Sequence, residues 1–162
     1  MSCPICKEKH TAYFTEKKQY VFFRCSNCKT VFLRNIPPPQ ALRSYYLKHF
    51  SYKDGLLNEK VIRARSKVIL HNLKKLCGQP KTICDIGSGY GFFLSEAKRL
   101  GYIPTAVEPS QKLAHHIQTH YQIPTYHMDL YSYASGSFHQ FDIVTCIHVI
   151  EHVSNPREFI SK

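Results

Sequence analysis

The spacing of apolar and polar positions divides the chain into two unlike halves. Near the N-terminus, Tyr20-Val21-Phe22-Phe23 and Val31-Phe32-Leu33 are short runs of aromatic and β-branched residues, which predicts two strands. Ile36-Pro37-Pro38-Pro39 follows. Its three prolines donate no ladder hydrogen bonds, so an extended spacer is predicted. Gln40 to Phe50 predicts a helix with Ala41, Leu42, Tyr45 and Tyr46 on its apolar side. A longer helix is predicted from Asn58 to Leu76, where Val61, Ile62, Val68, Ile69, Leu73 and Leu76 recur at helical spacing. Arg63, Arg65, Lys67, Lys74 and Lys75 fill its other, solvated face, and Gly78 and Pro80 stop it.

From residue 82 the pattern changes. Thr82-Ile83-Cys84-Asp85-Ile86 predicts a short buried strand, and Gly87-Ser88-Gly89-Tyr90-Gly91 a glycine-rich turn. Phe92, Phe93, Leu94, Ala97 and Leu100 supply the apolar side of a helix ending at Gly101, and Ile103 to Val107 a second strand with Glu108 at its carboxyl end. Strand, glycine turn, helix and strand form half of a βαβ nucleotide-binding unit. The glycines let backbone amides approach a ligand that any Cβ would hold away. An acid at the position of Glu108 can accept hydrogen bonds from both hydroxyls of an adenosine ribose. The Gly-x-Gly-x-Gly spacing places Phe92 where a dinucleotide fingerprint has its third glycine. Asp85, two residues before the first glycine, repels a pyrophosphate and favours a ligand bearing an ammonium group. The chain has no Gly-Lys-Ser/Thr, which excludes a phosphate loop.

Seven cysteines are an odd number, unlike a secreted disulfide framework. Cys3, Cys6, Cys25 and Cys28 form two Cys-x-x-Cys knuckles separated by 18 residues, enough for a hairpin that brings the knuckles together around tetrahedral zinc. The alternative is two disulfides or unliganded thiols. A ribbon this small has little core, so bound metal would supply much of its folding free energy. Cys77, Cys84 and Cys146 stand among apolar neighbours and read as buried small hydrophobes.

Charge sharpens the division. Residues 1–78 carry 16 basic and 4 acidic side chains, a net of +12, and residues 79–162 carry 6 and 7, a net of −1. Zinc on four thiolates would lower the first figure to +10. The basic half points to an anionic partner such as nucleic acid, or to a self-solubilising surface. With 43% hydrophobic and 13% aromatic residues, the 162-residue chain can pack a core. No apolar run reaches the roughly 18–20 residues that cross a bilayer. The charges at Lys7, Glu8, Lys9, Glu16, Lys17 and Lys18 are unlike a signal peptide. The expectation is a soluble, cytoplasmic protein with no membrane partner.

These residues carry a resemblance. Asp85-Ile86-Gly87-Ser88-Gly89-Tyr90-Gly91 resembles the first motif of class I S-adenosylmethionine-dependent methyltransferases, and Val107-Glu108-Pro109-Ser110 their second. Phe141 to Ile147 resembles their fourth strand, and Val149-Ile150-Glu151-His152-Val153 a segment of ubiquinone-biosynthesis-type members. The knuckles, prolines and Tyr45-Tyr46 helix are similar to a zinc ribbon fused to many bacterial methyltransferases of this group. The resemblance implies an α/β fold: an incomplete Rossmann-like parallel sheet (79–162), behind a zinc ribbon (1–36) and a proline-and-helix linker (37–78). It implies S-adenosylmethionine held by Asp85, Gly87, Ser88, Gly89, Gly91 and Glu108, with Met128 beside the adenine ring, Asp129 near its amino group and His148 lining the pocket. Zinc would sit on Cys3, Cys6, Cys25 and Cys28. The implied function is methyl transfer to a small metabolite or glycan precursor. The alternatives are an RNA methyltransferase, or a non-catalytic zinc-ribbon module binding nucleic acid or protein.

Two features depart from the pattern. The family's sheet has seven strands, whereas only 84 residues follow Gly78 and the fourth strand is the last the pattern predicts. The expectation is therefore an N-terminal portion of a longer enzyme or a truncated product. His148-Val149-Ile150-Glu151-His152 also has metal-ligand spacing. Methyltransferases with Glu-x-x-Glu-His here bind a divalent ion, but His148 replaces the first acid, which favours a softer metal if any. The simpler alternative has Glu151 and His152 orienting a helix. His115, His116 and His120 read as surface residues of a helix.

Overall fold

The computed structural model describes residues 1–35, 37–38, 40–41, 44, 58–79, 81–134, 136 and 140–162. The predicted helix from Gln40 to Phe50 falls largely outside them. The chain divides into two compact units, residues 1–46 with 150–162, and residues 47–149.

The first unit contains a three-stranded antiparallel sheet in the order β1-β2-β3, formed by Thr11–Lys17, Tyr20–Cys25 and Val31–Leu33. β2 and β3 are the predicted strands. β1 has no predictive pattern, because nearly every one of its side chains is exposed. Tyr13 pairs with Phe23 and Thr15 with Phe22, so Phe14 is an extra residue bulged out of the ladder. The buried core is small: Cys3, Cys25 and Phe32, with Cys6 and Phe23 against them. In the C-terminal segment a 3₁₀ turn at Ile150–His152 precedes α5, Pro156–Ile160. The Asn155 side chain caps α5 by accepting from the Glu158 N–H at 3.4 Å.

The second unit is a four-stranded parallel sheet with helices. α1 (Glu59–Cys77) leads into β4 (Thr82–Ile86), α2 (Phe92–Arg99), β5 (Ile103–Val107), α3 (Gln111–Tyr121), β6 (Thr125–Tyr126), α4 (Leu130–Ala134) and β7 (Ile143–Thr145). The strand order is β6-β5-β4-β7, with every pairing parallel. Such a sheet is buried by its crossover helices, and Leu70, Ile83, Leu94, Ala106, Ile117 and Ile143 meet in one core. Asp142 joins the two strands farthest apart in sequence. Its Oδ2 accepts from the backbone N–H and the hydroxyl of Thr82, at 3.0 and 2.7 Å, and its own N–H donates to the Thr82 hydroxyl at 3.0 Å.

Several expectations change. α1 turns Leu70 and Ser66 fully inward, with Ile62, Ile69 and Leu73 beside them, whereas Val61, Val68 and Leu76 face outward. Leu100 is exposed beyond the end of α2. Cys77 is exposed, and Cys146 only partly buried; Cys84 is buried as predicted. His116 is half-buried rather than on the surface, stacked on His120 at 5.1 Å and edge-on to Tyr121.

Arg63 is not part of a solvated face. Its Nε donates to Glu59 at 2.7 Å, Nη1 to Ser95 Oγ at 2.7 Å and Glu96 Oε1 at 2.9 Å, and Nη2 to Tyr121 Oη at 3.0 Å. The guanidinium also lies 5.0 Å from the ring centroid of Phe92, which stacks on Tyr90 of the glycine turn. One side chain of α1 thereby ties α2, α3 and the turn together.

Candidate cofactor site and cysteine cluster

In a parallel sheet all carboxyl ends emerge on one edge, where open α/β folds bind ligands. Residues 87–91 follow β4, residues 108–110 follow β5, residues 127–129 follow β6 and residues 146–149 follow β7. Asp85 lies near the end of β4 itself. The topology thus brings Asp85, Gly87, Ser88, Gly89, Gly91, Glu108, Met128, Asp129 and His148 to that edge.

The glycine turn is anchored from both sides. The Gly87 N–H donates to the Val107 carbonyl at 2.8 Å, and the Ser88 hydroxyl to the Asp85 carbonyl at 2.6 Å. A Cβ on Gly87 would lie 2.6 Å from Val149 Cγ2, and one on Gly91 2.9 Å from Ile117 Cγ1, so these two glycines serve packing. Gly89 differs. Its φ is +56°, and a Cβ there would meet nothing within 4 Å. Its N–H donates to Glu108 Oε2 at 2.8 Å, while the Ser110 N–H donates to Oε1 at 2.8 Å. Glu108 is thus held rigidly between the turn and the start of α3, beside open space.

Both acids are buried. Burial pushes the Asp85 carboxyl up to about 7, with the Glu108 charge adding to the rise and the Thr145 hydroxyl, donating to Asp85 Oδ1 at 2.6 Å, opposing it. Burial raises Glu108 as well, against its two backbone N–H bonds. An ammonium group arriving at this edge would relieve both.

A prediction follows for pH. The unfolded value of Asp is near 3.9, so the folded state keeps a proton on Asp85 that the unfolded chain has lost. Asp85's contribution to the stability of this unit is therefore greatest at acid pH. It is expected to fall as pH rises from about 4 to 7, by up to about 1.4 kcal/mol per pH unit, and to level off above. Urea midpoints against pH measure this, and Asp85→Asn is expected to flatten the slope. An unchanged slope in that variant removes Asp85 as its source.

Asp129 Oδ1 accepts from the Ser132 N–H at 2.8 Å, starting α4, and Met128 is partly buried. His148 is exposed with φ +56°. Among the described residues the four cysteines are the one group of three or more metal-ligating side chains close enough to share an ion.

Cys3, Cys6, Cys25 and Cys28 have all four sulfurs within 4.8 Å of one another. Cys3 and Cys28 Sγ are 3.6 Å apart, and Cys6 and Cys25 Sγ 3.5 Å. A disulfide requires about 2.05 Å, whereas four sulfurs about 2.3 Å from one tetrahedral zinc stand roughly 3.8 Å apart. The donor set is compatible with zinc. In both knuckles the residue after the second cysteine, Lys7 or Lys29, takes a left-handed backbone, φ 63° and 62°. In the first knuckle the chain folds back so that Lys7 N–H donates to the Cys3 carbonyl at 3.0 Å. The repetition of one turn in both knuckles was not legible from spacing alone.

Comparison with known proteins decides the family. A family model described as a methyltransferase domain matches residues 57–162, well over half of the chain. The chain belongs to the methyltransferase-domain family. The matched region starts before α1, so the helix carrying Arg63 is part of this methyltransferase domain. Over 90 residues the chain is 34% identical to the mitochondrial ubiquinone biosynthesis O-methyltransferase of Schizosaccharomyces pombe, covering 52% of this chain and 33% of that protein. Over 89 residues it is 30% identical to the ubiquinone biosynthesis O-methyltransferase of Glaesserella parasuis, covering 49% and 38%. The chain thus spans little more than a third of the length of these curated relatives. Among solved structures it is similar to the 1,6-didemethyltoxoflavin-N1-methyltransferase of Burkholderia thailandensis, with a TM-score of 0.47 and 18% identity over 83% of this chain and 56% of that one.

Proposed function

We propose that the methyltransferase domain binds S-adenosylmethionine at the carboxyl edge of its sheet and serves methyl transfer to a small-molecule or glycan-precursor acceptor, with zinc on the four cysteines. The observation that carries the reading is Gly89, whose missing side chain leaves open space beside the clamped carboxylate of Glu108. The names of the relatives, both O-methyltransferases of ubiquinone biosynthesis, support a small-molecule acceptor.

When bound, this cofactor supplies a methyl group on a positively charged sulfur, open to in-line displacement. The protein's part is then chiefly positioning. Each Glu108 oxygen keeps a lone pair beyond the one its backbone donor uses, enough to accept the two ribose hydroxyls. Asp85 would balance the cationic charge, and its proton would leave as the cation arrives. The second oxygen of Asp129 would serve the adenine amino group with Met128 beside the ring. His148 would stand near the reacting end.

The test is a calorimetric titration with S-adenosylmethionine, using NAD as the control. Micromolar binding of the methyl donor alone is expected. Gly89→Arg is expected to abolish it, because the side chain fills the open space, while the unfolding midpoint stays within a few degrees of the parent's. A Gly89→Arg chain that still binds like the parent would falsify the site.

A further inference from the structure

We propose that the face of the β1-β2-β3 sheet turned away from the cysteines is a binding surface for single-stranded nucleic acid. Pairing and alternation define that face. Cys25, Phe23 and Phe32 point to the metal side. The paired residues between them, Arg24 with Ala12 and Val31, and Phe22 with Thr15 and Leu33, therefore point to the other, as does Tyr20 paired with Lys17. The bulge adds Phe14 to this face, where the Arg24 guanidinium lies 5.7 Å from its ring centroid.

The face is aromatic and cationic. Phe14 is 48% and Tyr20 45% exposed. Lys17 and Arg24 stand among them, Lys18 follows at the turn, and no acid of the three strands points to this face, because Glu16 pairs with Val21 on the metal side. Residues 1–35 hold seven basic and two acidic side chains, so the ribbon attracts a polyanion and repels a second copy of itself. An acidic peptide would use the cations but leave the rings idle. A duplex would do the same, because its bases are already stacked. A single strand uses both, phosphates on Lys17, Lys18 and Arg24 and unstacked bases on Phe14 and Tyr20.

Fluorescence anisotropy with the full chain, purified with zinc, and a fluorescein-labelled oligothymidylate of about 12 nucleotides tests this. Three phosphate contacts give an expected slope of about −2 in log affinity against log salt. Phe14→Ala and Tyr20→Ala are each expected to weaken binding about tenfold with the slope unchanged. Lys17→Ala is expected to reduce the slope by about 0.7. Both ring variants alter exposed side chains, and circular dichroism matching the parent's verifies their fold. No binding at low salt overturns the proposal. So does binding that is indifferent to both ring variants and equally competed by duplex or polyglutamate, which is electrostatic adsorption. Self-association relieved by the same substitutions also overturns it, by making a second copy the occupant. None of these outcomes depends on whether the other unit binds S-adenosylmethionine.

Discussion

Treating the chain with a strong zinc chelator is expected to unfold residues 1–35 while the parallel sheet stays folded. The reason is the smallness of the first core. Three fully buried side chains, two of them the thiols Cys3 and Cys25, cannot offset the entropy of ordering some thirty residues. Structural zinc in small ribbons contributes on the order of 10–16 kcal/mol, and here that binding energy would be folding energy. Cys25→Ser is expected to have the same effect without chelator, since Cys25 is one of the four proposed ligands and the most enclosed residue of β2. Amide spectra separate the cases. Signals from Thr11–Leu33 should collapse while those from Thr82–Ile117 persist, and zinc content should fall together with the first set. Ribbon signals that survive complete metal removal would show that packing alone holds the fold.

The second large effect lies at Arg63. Replacing it with methionine keeps the stem but leaves the Glu96 carboxylate, 3% exposed, facing only Arg99 at 2.9 Å. A buried carboxylate left with no partner typically costs about 3–5 kcal/mol; Glu96 keeps Arg99, so the expected loss is smaller, on the order of 1.5–3 kcal/mol for the charged hydrogen bond removed. Ser95 and Tyr121 lose a donor as well. Denaturation midpoints measure the loss, and Glu96→Leu in the Arg63→Met background should recover part of it by removing a buried carboxylate that has lost one of its two cations. Additive losses would mean the two residues are energetically independent. Because Phe92 lies under Arg63 and stacks on Tyr90, the single variant should also weaken ligand binding at the glycine turn.

The segment from Thr82 to Glu108 was readable because its elements are short, fully buried and punctuated by glycine. Each apolar run there has one possible role, and the acids are fixed by their place at strand ends. α1 was readable as a helix but not in its orientation. Val61 and Val68 extend the apolar arc in sequence, yet the buried side carries Leu70 and Ser66 and packs against α2, and nothing local says which edge of a wide arc faces inward. Arg63 looked solvated because a long cation usually is, and its partners lie up to 58 residues away. β1 carries no signal in the sequence, because a strand exposed on both faces has no alternation. The left-handed Lys7 and Lys29 occupy positions where glycine would have signalled the turn.

The Asp142–Thr82 clasp has a consequence for the order of assembly. β4 meets β5 across 21 residues, Thr82 opposite Ile103, but reaches β7 only through partners 60 residues apart. The longer closure costs about 1 kcal/mol more in chain entropy, and during synthesis its far end emerges last. The β4-α2-β5 crossover is therefore expected to form first, with the clasp seating β7 on an existing template. Val149, which closes against Gly87, arrives with that last strand. Val107 and Glu108 hold the glycine turn as soon as the crossover is in place, and only the close approach of Val149 to Gly87 waits for the last strand.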